Sequence, residues 1–342
     1  MKKTSLIVLG CIFMLTLLVT SFPMVTGAQA KDYNFRVGHL LPESMLCGAA
    51  ANDFARIVEE KSNGQIKMTI YFGGQLGPWQ EQFDMVSQGS LDMGFLAVSP
   101  RYKSLYPLSA PWIVTGWDQY RKLWSIGDGI LYQYADKAFD KLNIKFLAPF
   151  CIGFEGIGGM KGPIVLPEDI KKMDIKVRTM GGLSALYWED LGPVVKIDSA
   201  EVFTALQLGT VDVQADQSVM LNYYMFKEVT KYYTDLDAFP AFGTLFVNKN
   251  IWNKLPADLQ KVVMDAAVEV TDSCSLASEK LEEEIYQNFE KEGTVITRLT
   301  PEQRGEWWKE ARKSGGYFDK LKKELEKEEY DIIMKAAAVG QE

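Results

Sequence analysis

The feature that most constrains the fold of this chain is a repeated succession of short apolar strands and amphipathic helices. In the first third, strand patterns at 35–38, 65–72 and 93–98 are separated by helical patterns at 48–61 and 79–87. Strand, helix and strand in succession predict βαβ units built on a parallel sheet. The sequence therefore predicts an α/β protein.

The middle of the chain repeats this pattern. Further strands are predicted at 143–150, 175–178, 194–195, 211–214 and 245–248, with helices at 183–191 and 199–208. A chain of 342 residues is longer than one minimal domain, so its length favours two domains.

The C-terminal third is predicted to be helical and to contain one unusually long helix. Pro256 lies near its first turn, and an apolar face from Val262 to Ile285 predicts a helix that runs past Glu290. A helix of that length spans about 45–50 Å at 1.5 Å per residue, which exceeds one small domain. We expect it to brace two lobes.

The first thirty residues differ in character from the rest. Lys2 and Lys3 precede an apolar run at 6–19, and Ala28-Gln29-Ala30 has the form of a cleavage site. We expect 1–30 to be a secretory signal peptide, which places the mature chain in the periplasm. An uncleaved anchor and lipidation at Cys11 are alternatives that fit the short, early apolar run less well.

The charge and the reactive side chains exclude several functions. Removal of 1–30 takes away two lysines and no acids, so the net charge changes from −8 to −10. That acidity argues against nucleic acid as a partner. His39 is the only histidine, and GxSxG and Walker A motifs are absent from the sequence. We expect a non-catalytic protein without metal or cofactor.

The cysteines and one glycine-rich stretch carry no clear chemistry. Cys47, Cys151 and Cys274 remain after removal of the signal peptide, so at most one disulfide can form. Glycines at 153–162 lack the order and the strand-helix context of a dinucleotide-binding loop. Buried apolar thiols are the simpler interpretation of the cysteines.

A set of motifs between about residue 35 and residue 290 carries a family resemblance. They are FARIVEEKSNG at 54–64, GGQLG at 73–77, QGSLDM at 88–93, LPEDIK at 166–171 with KVR at 176–178, EVFTALQLGTVD at 201–212, and VNK at 247–249 with LP at 255–256. In this order and spacing, the chain resembles the DctP-like solute receptors of tripartite ATP-independent periplasmic (TRAP) transporters.

The resemblance implies a two-lobed periplasmic binding protein (type II-like) with hinge strands and a long helix spanning both lobes. It places lobe I at 31–152 with 241–282 and lobe II at 153–240 with 283–342. The ligand would bind between the lobes. The implied partners are a small and a large integral membrane subunit, and we expect the receptor to be a monomer.

The resemblance also implies a ligand anchor, which is Arg178 here. Arginine presents a rigid donor fork that meets a carboxylate with two hydrogen bonds, and the end of an α/β strand is where ligands bind. The chain departs from the family pattern at Glu155, Asp216 and Ser199, where relatives carry a cation, an amide and a phenylalanine. Further candidates are Phe154, Trp188, Phe239 and Phe242, which lie in segments approaching the cleft, and Gln75 of the GGQLG turn.

These departures shape the expected ligand, a carboxylate with an aromatic or apolar body. Two acids facing one arginine would repel a second carboxylate and attract an ammonium, which suits a zwitterionic amino acid. If Glu155 faces solvent and Asp216 only caps a loop, an aromatic or keto monocarboxylate fits better. A C4-dicarboxylate receptor, a sensor-type ligand protein and, remotely, a secreted hydrolase also stay open as functions.

Overall fold

The computed structural model describes residues 31–339, so the predicted signal peptide at 1–30 lies outside the described residues. The strands are β1 (Tyr33–His39), β2 (Ile66–Tyr71), β3 (Met93–Leu96), β4 (Ile144–Gly159), β5 (Val177–Thr179), β6 (Val194–Lys196), β7 (Val213–Ser218), β8 (Tyr232–Asp235), β9 (Pro240–Asn248) and β10 (Val295–Arg298).

The helices alternate with these strands in the first two thirds and dominate the last third. They are α1 (Leu46–Lys61), α2 (Trp79–Gln88), α3 (Trp117–Leu123), α4 (Ile130–Asp140), α5 (Pro167–Lys172), α6 (Gly182–Trp188), α7 (Val202–Gln207), α8 (Val219–Leu221), α9 (Lys249–Trp252), α10 (Ala257–Lys291), α11 (Pro301–Arg312), α12 (Tyr317–Glu324) and α13 (Lys327–Ala338). Short 3₁₀ turns lie at Lys103–Ser109, Ser199–Glu201 and Lys227–Val229, and a π-helical turn at Asn222–Phe226.

The strands form two sheets that share β4. The first sheet has the order β2-β1-β3-β9-β4, and the second continues as β4-β7-β5-β6, with β8 and β10 paired beside β4. Within β4, Phe154 still pairs with Pro240 of β9, whereas Glu155 already pairs with Ser218 of β7. The strands β1, β2 and β3 are parallel, as are β5, β6 and β7. The prediction of an α/β fold with two lobes joined by hinge strands is confirmed.

The long helix α10 has 35 residues and links the two halves of the protein, each of which is built around one of the two sheets. At 1.5 Å per residue it extends about 52 Å. Its first half packs against α1. Its last turns place Tyr286 and Phe289 with ring centroids 6.2 and 6.4 Å from that of Tyr233 on β8. The predicted brace across both lobes is confirmed.

The chain passes between the two sheets within β4, again just before β9, and along α10. The last helices contact both halves, because α11 and α12 pack on α5 and α6 whereas α13 packs on α4. The expected lobe ranges, 31–152 with 241–282 and 153–240 with 283–342, therefore stay a prediction.

Buried apolar side chains fill each half. One core lies between α1, α10 and the first sheet, and a larger one packs under α2, α4 and the C-terminal helices. Cys47, Cys151 and Cys274 are buried and free, so none of the three forms a disulfide. Across residues 31–339, no helix combines the length and the apolar character needed to cross a membrane.

Candidate functional site

A cleft of about 290 Å³ opens between the two sheets. Its lining comes from the carboxyl ends of the parallel strands: His39 and Leu41 at β1, Leu96 and Ala97 at β3, Met180 after β5, Ser199 after β6, and Asp216 and Gln217 near the end of β7. This is the edge at which open α/β sheets bind ligands, because the loops leaving it converge without strands covering them. The strand order therefore places the candidate site.

Arg178 lies in β5 next to Ser199 and is not itself among the described residues that line the cleft. Its side chain is fully buried, and its Nε donates to the carbonyl of Ile197 at 2.8 Å. Nη2 donates at 3.4 Å to Oγ of Ser199, which lines the cleft. The remaining nitrogen, Nη1, is buried and has no hydrogen-bond partner. A buried, unpaired donor on a charged group is unfavourable, so this edge of the guanidinium is suited to an anionic partner.

Asp216 shapes the loop that follows Arg178. It sits at φ 68° in β7 and is buried. Its Oδ2 accepts from the backbone N–H of Met180 at 2.7 Å, and its Oδ1 accepts from the hydroxyl of Ser184. Burial raises the pKa of Asp216, and the nearby Arg178 guanidinium opposes that rise. Both carboxylate oxygens of Asp216 are thus engaged in holding the start of α6.

Glu155 is the first residue of β4 that pairs with the second sheet, and it lines the cleft. It is 5% exposed, and its Oε2 is buried without a hydrogen-bond partner. Burial and the neighbouring charge of Asp216 raise the pKa of Glu155 well above its usual range, while Arg178 lowers it. Glu155 therefore lines the cleft and belongs to one charged cluster with Asp216 and Arg178.

Two polar lining residues were not among the candidates predicted from the sequence. His39 ends β1, and its Nδ1 lies 3.0 Å from the carbonyl oxygen of Leu41 while Nε2 is buried without a partner. Burial lowers the pKa of His39 to about 4, so its ring is neutral near pH 7. Gln217 adds a side-chain oxygen that is also buried and unpartnered. Their positions at strand ends were the signal that the sequence offered.

The remaining wall of the cleft is apolar. Phe95 and Phe150 lie with ring centroids 4.4 Å apart, and both line the cleft together with Trp79 and Leu221. Among the predicted aromatic candidates, Phe242 also lines it. The cleft therefore combines a few polar groups with a mainly apolar and aromatic lining, which is the usual composition of a site for a small organic molecule.

The other predicted candidates lie outside this lining. Phe154 packs edge-on against Trp117 with a centroid distance of 5.3 Å, and Trp188 packs against Trp307 at 6.1 Å. The carbonyl of Phe239 accepts a hydrogen bond from the backbone N–H of Glu155 at 2.8 Å. These three residues support the walls from behind.

The GGQLG turn reaches the cleft through its first glycine. Gln75 is exposed in that turn, whereas Gly73 lines the cleft. Residues 31–339 contain no group of three or more His, Cys, Asp or Glu side chains arranged to hold a metal ion.

Known proteins resemble this chain in sequence and fold. The C4-dicarboxylate-binding protein DctB of Bacillus subtilis is 25% identical over 288 residues, which covers 80% of this chain and 79% of that relative. A TRAP periplasmic solute-binding protein of Chromohalobacter salexigens with bound D-glucuronate superposes with a TM-score of 0.80 at 20% identity, covering 89% of this chain and 99% of that one.

A third relative shares the same architecture. A TRAP periplasmic solute-binding protein of Desulfovibrio salexigens with bound orotic acid gives a TM-score of 0.79 at 20% identity, covering 90% of this chain and 99% of that chain. These relatives are binding proteins, which confirms the prediction of a binding protein and not an enzyme. The model of bacterial extracellular solute-binding protein, family 7 (DctP), matches residues 37–320, so this chain belongs to that family, the DctP-like solute receptors of TRAP transporters.

Proposed function

We propose that this receptor captures a small monocarboxylic acid with an aromatic or apolar body and delivers it to the membrane subunits of a TRAP transporter. The observation that carries the proposal is the buried Nη1 of Arg178, which has no partner and lies beside the cleft. The ligand carboxylate would complete the hydrogen bonding of that guanidinium.

The charge of the cleft favours one carboxylate over two. No lysine or arginine is among the described residues that line it, and the charged lining residues Glu155 and Asp216 are acids. A second ligand carboxylate would therefore face acids without a cation, which is electrostatically unfavourable. The C4-dicarboxylate suggested by the name of the Bacillus subtilis relative remains the alternative ligand.

The size and walls of the cleft favour a small ligand with an apolar part. Its volume of about 290 Å³ lies at the low end of the range for ligand pockets. Phe95, Phe150 and Phe242 offer ring faces to such a body. The relatives that hold D-glucuronate and orotic acid support a carboxylate-bearing ligand class.

The proposed cellular setting follows from the family and the N-terminal pattern. With the signal peptide at 1–30 removed, a monomeric receptor would act in the periplasm and deliver its ligand to a small and a large integral membrane subunit. Deleting residues 1–30 and locating the shortened protein by cell fractionation tests the targeting part of the proposal.

A thermal-shift panel tests the ligand class. It compares malate and succinate with leucine, phenylalanine, tryptophan and their 2-keto acids, because a ligand stabilises the folded state by RT ln(1 + [L]/Kd). We expect stabilisation by at least one apolar or aromatic monocarboxylate and none by the dicarboxylates. Stabilisation by a dicarboxylate alone would overturn the proposed ligand class.

A further inference from the structure

We infer that Glu155 and Gln217 form an ammonium subsite next to Arg178, so that the captured acid is an amino acid bound as a zwitterion with release of a proton. The inference rests on the proposed function, since it assumes that the ligand carboxylate meets Arg178. It gives a binding role to Glu155 and Gln217, which the contact between Arg178 and the ligand carboxylate does not involve.

The unpartnered atoms in this part of the cleft are mainly acceptors. Oε2 of Glu155 and Oε1 of Gln217 are both buried without a hydrogen-bond partner, and both residues line the cleft. Glu155 on β4 and Gln217 on β7 lie at neighbouring positions in the pairing of these strands, because Glu155 pairs with Ser218 and Gly156 pairs with Gln217. Two adjacent strands thus bring two residues that carry unfilled oxygen acceptors into the lining of one cleft.

A simple carboxylate cannot donate to Oε1 of Gln217 or to the ionised form of Glu155. An ionised carboxylate only accepts hydrogen bonds, whereas an ammonium group carries three donors. A buried acceptor without a donor is unfavourable, so a ligand that supplies donors beside its carboxylate should bind more tightly than one that does not. An amino acid carries both groups on one carbon or on nearby carbons.

Asp216 acts here as a positioning residue. Its two oxygens already accept from the Met180 N–H and the Ser184 hydroxyl, so it holds the loop that carries the arginine end of the site. Its negative charge still favours a cation in the cleft. Glu155, whose Oε2 is unfilled, is left as the direct partner of the ammonium.

The proton balance follows from the groups that face Glu155. They are Asp216 on β7, Arg178 on β5, Tyr233 on β8 and Cys151 on β4; Glu282 on α10 lies beside the neighbouring Phe154, and His39 and Cys47 line the same cleft. Burial raises the pKa values of Tyr233, Cys151 and Cys47, and burial lowers that of His39, so these four groups are neutral near pH 7.

The ligand ammonium changes that balance. In the free protein, burial and Asp216 raise the pKa of Glu155 and favour its neutral acid form. The incoming ammonium favours the carboxylate form, so the Glu155 proton leaves to solvent while the ammonium keeps its own proton. Capture of an amino acid then releases up to one proton, whereas capture of the matching keto acid releases none.

Titration calorimetry of the purified mature receptor tests the inference with matched pairs: leucine, phenylalanine and tryptophan, each beside its 2-keto acid. Measurements at pH 7 in two buffers of different ionisation enthalpy give the protons released. We expect one amino acid to bind more tightly than its keto acid, with proton release that disappears in Glu155→Gln. In that variant the amino acid should lose about 10-fold or more in affinity, as expected when a charge-assisted bond is lost.

The keto acids and Gln217→Leu serve as controls. A thermal unfolding midpoint near that of the wild type without ligand shows that Glu155→Gln is folded, and Gln217→Leu should weaken the amino acid more than the keto acid. A keto or 2-hydroxy acid that binds as tightly as its amino acid, and loses binding in Arg178→Ala, would overturn the subsite and leave the proposed function standing. If no member of any pair binds, the proposed function and the subsite fail together.

Discussion

At the scale of single residues, the site is defined by polar atoms that the fold buries without satisfying. Arg178 illustrates this, because β5 and the Ile197 carbonyl fix its side chain while Nη1 stays unpaired. Burial lowers the pKa of Arg178, and Asp216, Glu155 and Asp198 oppose that change, so the guanidinium stays charged. The negative charge of Asp216 makes the charged arginine more favourable before a ligand arrives.

Replacement of Arg178 by alanine should abolish capture and leave the fold intact. Truncating one partner of a desolvated charged pair costs roughly 2–5 kcal/mol, or about 30-fold to several thousand-fold in affinity. Arg178→Lys should fail as well, since an ammonium lacks the planar fork. Calorimetric titration with the best ligand of the thermal-shift panel measures both variants. Near-normal affinity in Arg178→Ala would remove this residue from the site.

A second prediction at the residue scale concerns Glu282 and the pH dependence of the free energy of unfolding. Glu282 lies within α10, and its Oε2 accepts from the indole N–H of Trp117 at 3.1 Å. Burial raises the pKa of Glu282 to about 7, above an ordinary value near 4.5. The folded state therefore holds this proton more tightly than the unfolded chain. The resulting stabilisation is complete below about pH 4.5 and is lost as the pH rises through about 7.

Glu282→Gln keeps the acceptor for Trp117 and removes the titration. The variant should gain stability relative to the wild type between pH 5 and pH 8, by up to about 3 kcal/mol for a shift of this size. Urea unfolding at several pH values measures the difference. Parallel stability curves for the two proteins would show that Glu282 does not titrate in this range.

At the scale of elements, the sequence predicted some strands well and others poorly. The bounds of β1, β2, β3, α1 and α2 agree to within two residues, because turn signals flank each apolar pattern. The strand predicted at 143–150 instead continues to Gly159, and the one at 245–248 begins at Pro240. Glycines at 153–159 normally indicate turns, and pairing with the distant strands β7 and β8 keeps Gly156, Gly158 and Gly159 in the strand.

The same limit applies to the candidate site. Arg178 and the acids Glu155 and Asp216 could be named from motif positions, and the structure brings them into one cluster. His39 and Gln217 could not, since their role depends on which buried atoms lack partners after folding. The strands β8 and β10 were missed for a similar reason, because they pair with each other across a long stretch of chain.

Gly156 shows why β4 needs glycine where it enters the second sheet. An added Cβ would lie 2.3 Å from the backbone oxygen of Thr234 and 2.6 Å from the hydroxyl of Tyr233. Gly156→Ala should therefore destabilise the fold by about 1–3 kcal/mol or more, as overpacking does. Gly305→Ala is the matched control, because its Cβ meets nothing within 4 Å in α11 and should stabilise by about 0.4–1 kcal/mol.

Chemical denaturation of the two alanine variants measures that difference. A Gly156→Ala protein as stable as Gly305→Ala would show that β8 can move away from β4 without loss. Such a movement would also displace Tyr233, whose hydroxyl is buried without a partner and whose ring packs beside Tyr286, so we expect it to cost stability.

At the scale of the whole molecule, the connections between the halves permit movement. Among residues 31–339, the chain passes between the two sheets through β4, the segment before β9 and α10, and the C-terminal helices contact both halves. At the crossing point in β4, the register with β9 shifts between Cys151 and Phe154, and Gly153 adopts φ 97°. Glycine adopts such a conformation without strain, so the chain can change direction there. The cleft lies between the parts that this hinge joins.

The burial of Arg178 implies that the receptor must open to admit its ligand. The guanidinium is 0% exposed, although it is the proposed anchor, so a solute cannot reach it from solvent in this conformation. We therefore expect the ligand-free protein to populate a more open form in solution and the ligand to favour the closed one. A ligand shifts such an equilibrium when it binds the closed form, through contacts with both halves, more tightly than the open form.

Small-angle X-ray scattering of the mature receptor, with and without its ligand, measures this shift. With saturating ligand, the radius of gyration should approach about 20 Å, the value for a compact chain of this length, and it should be larger without ligand. Arg178→Ala provides the control, because it should keep the larger radius at the same ligand concentration. Identical scattering for free and liganded wild type would mean that the closed form dominates before capture, and that the solute enters through a rarer opening.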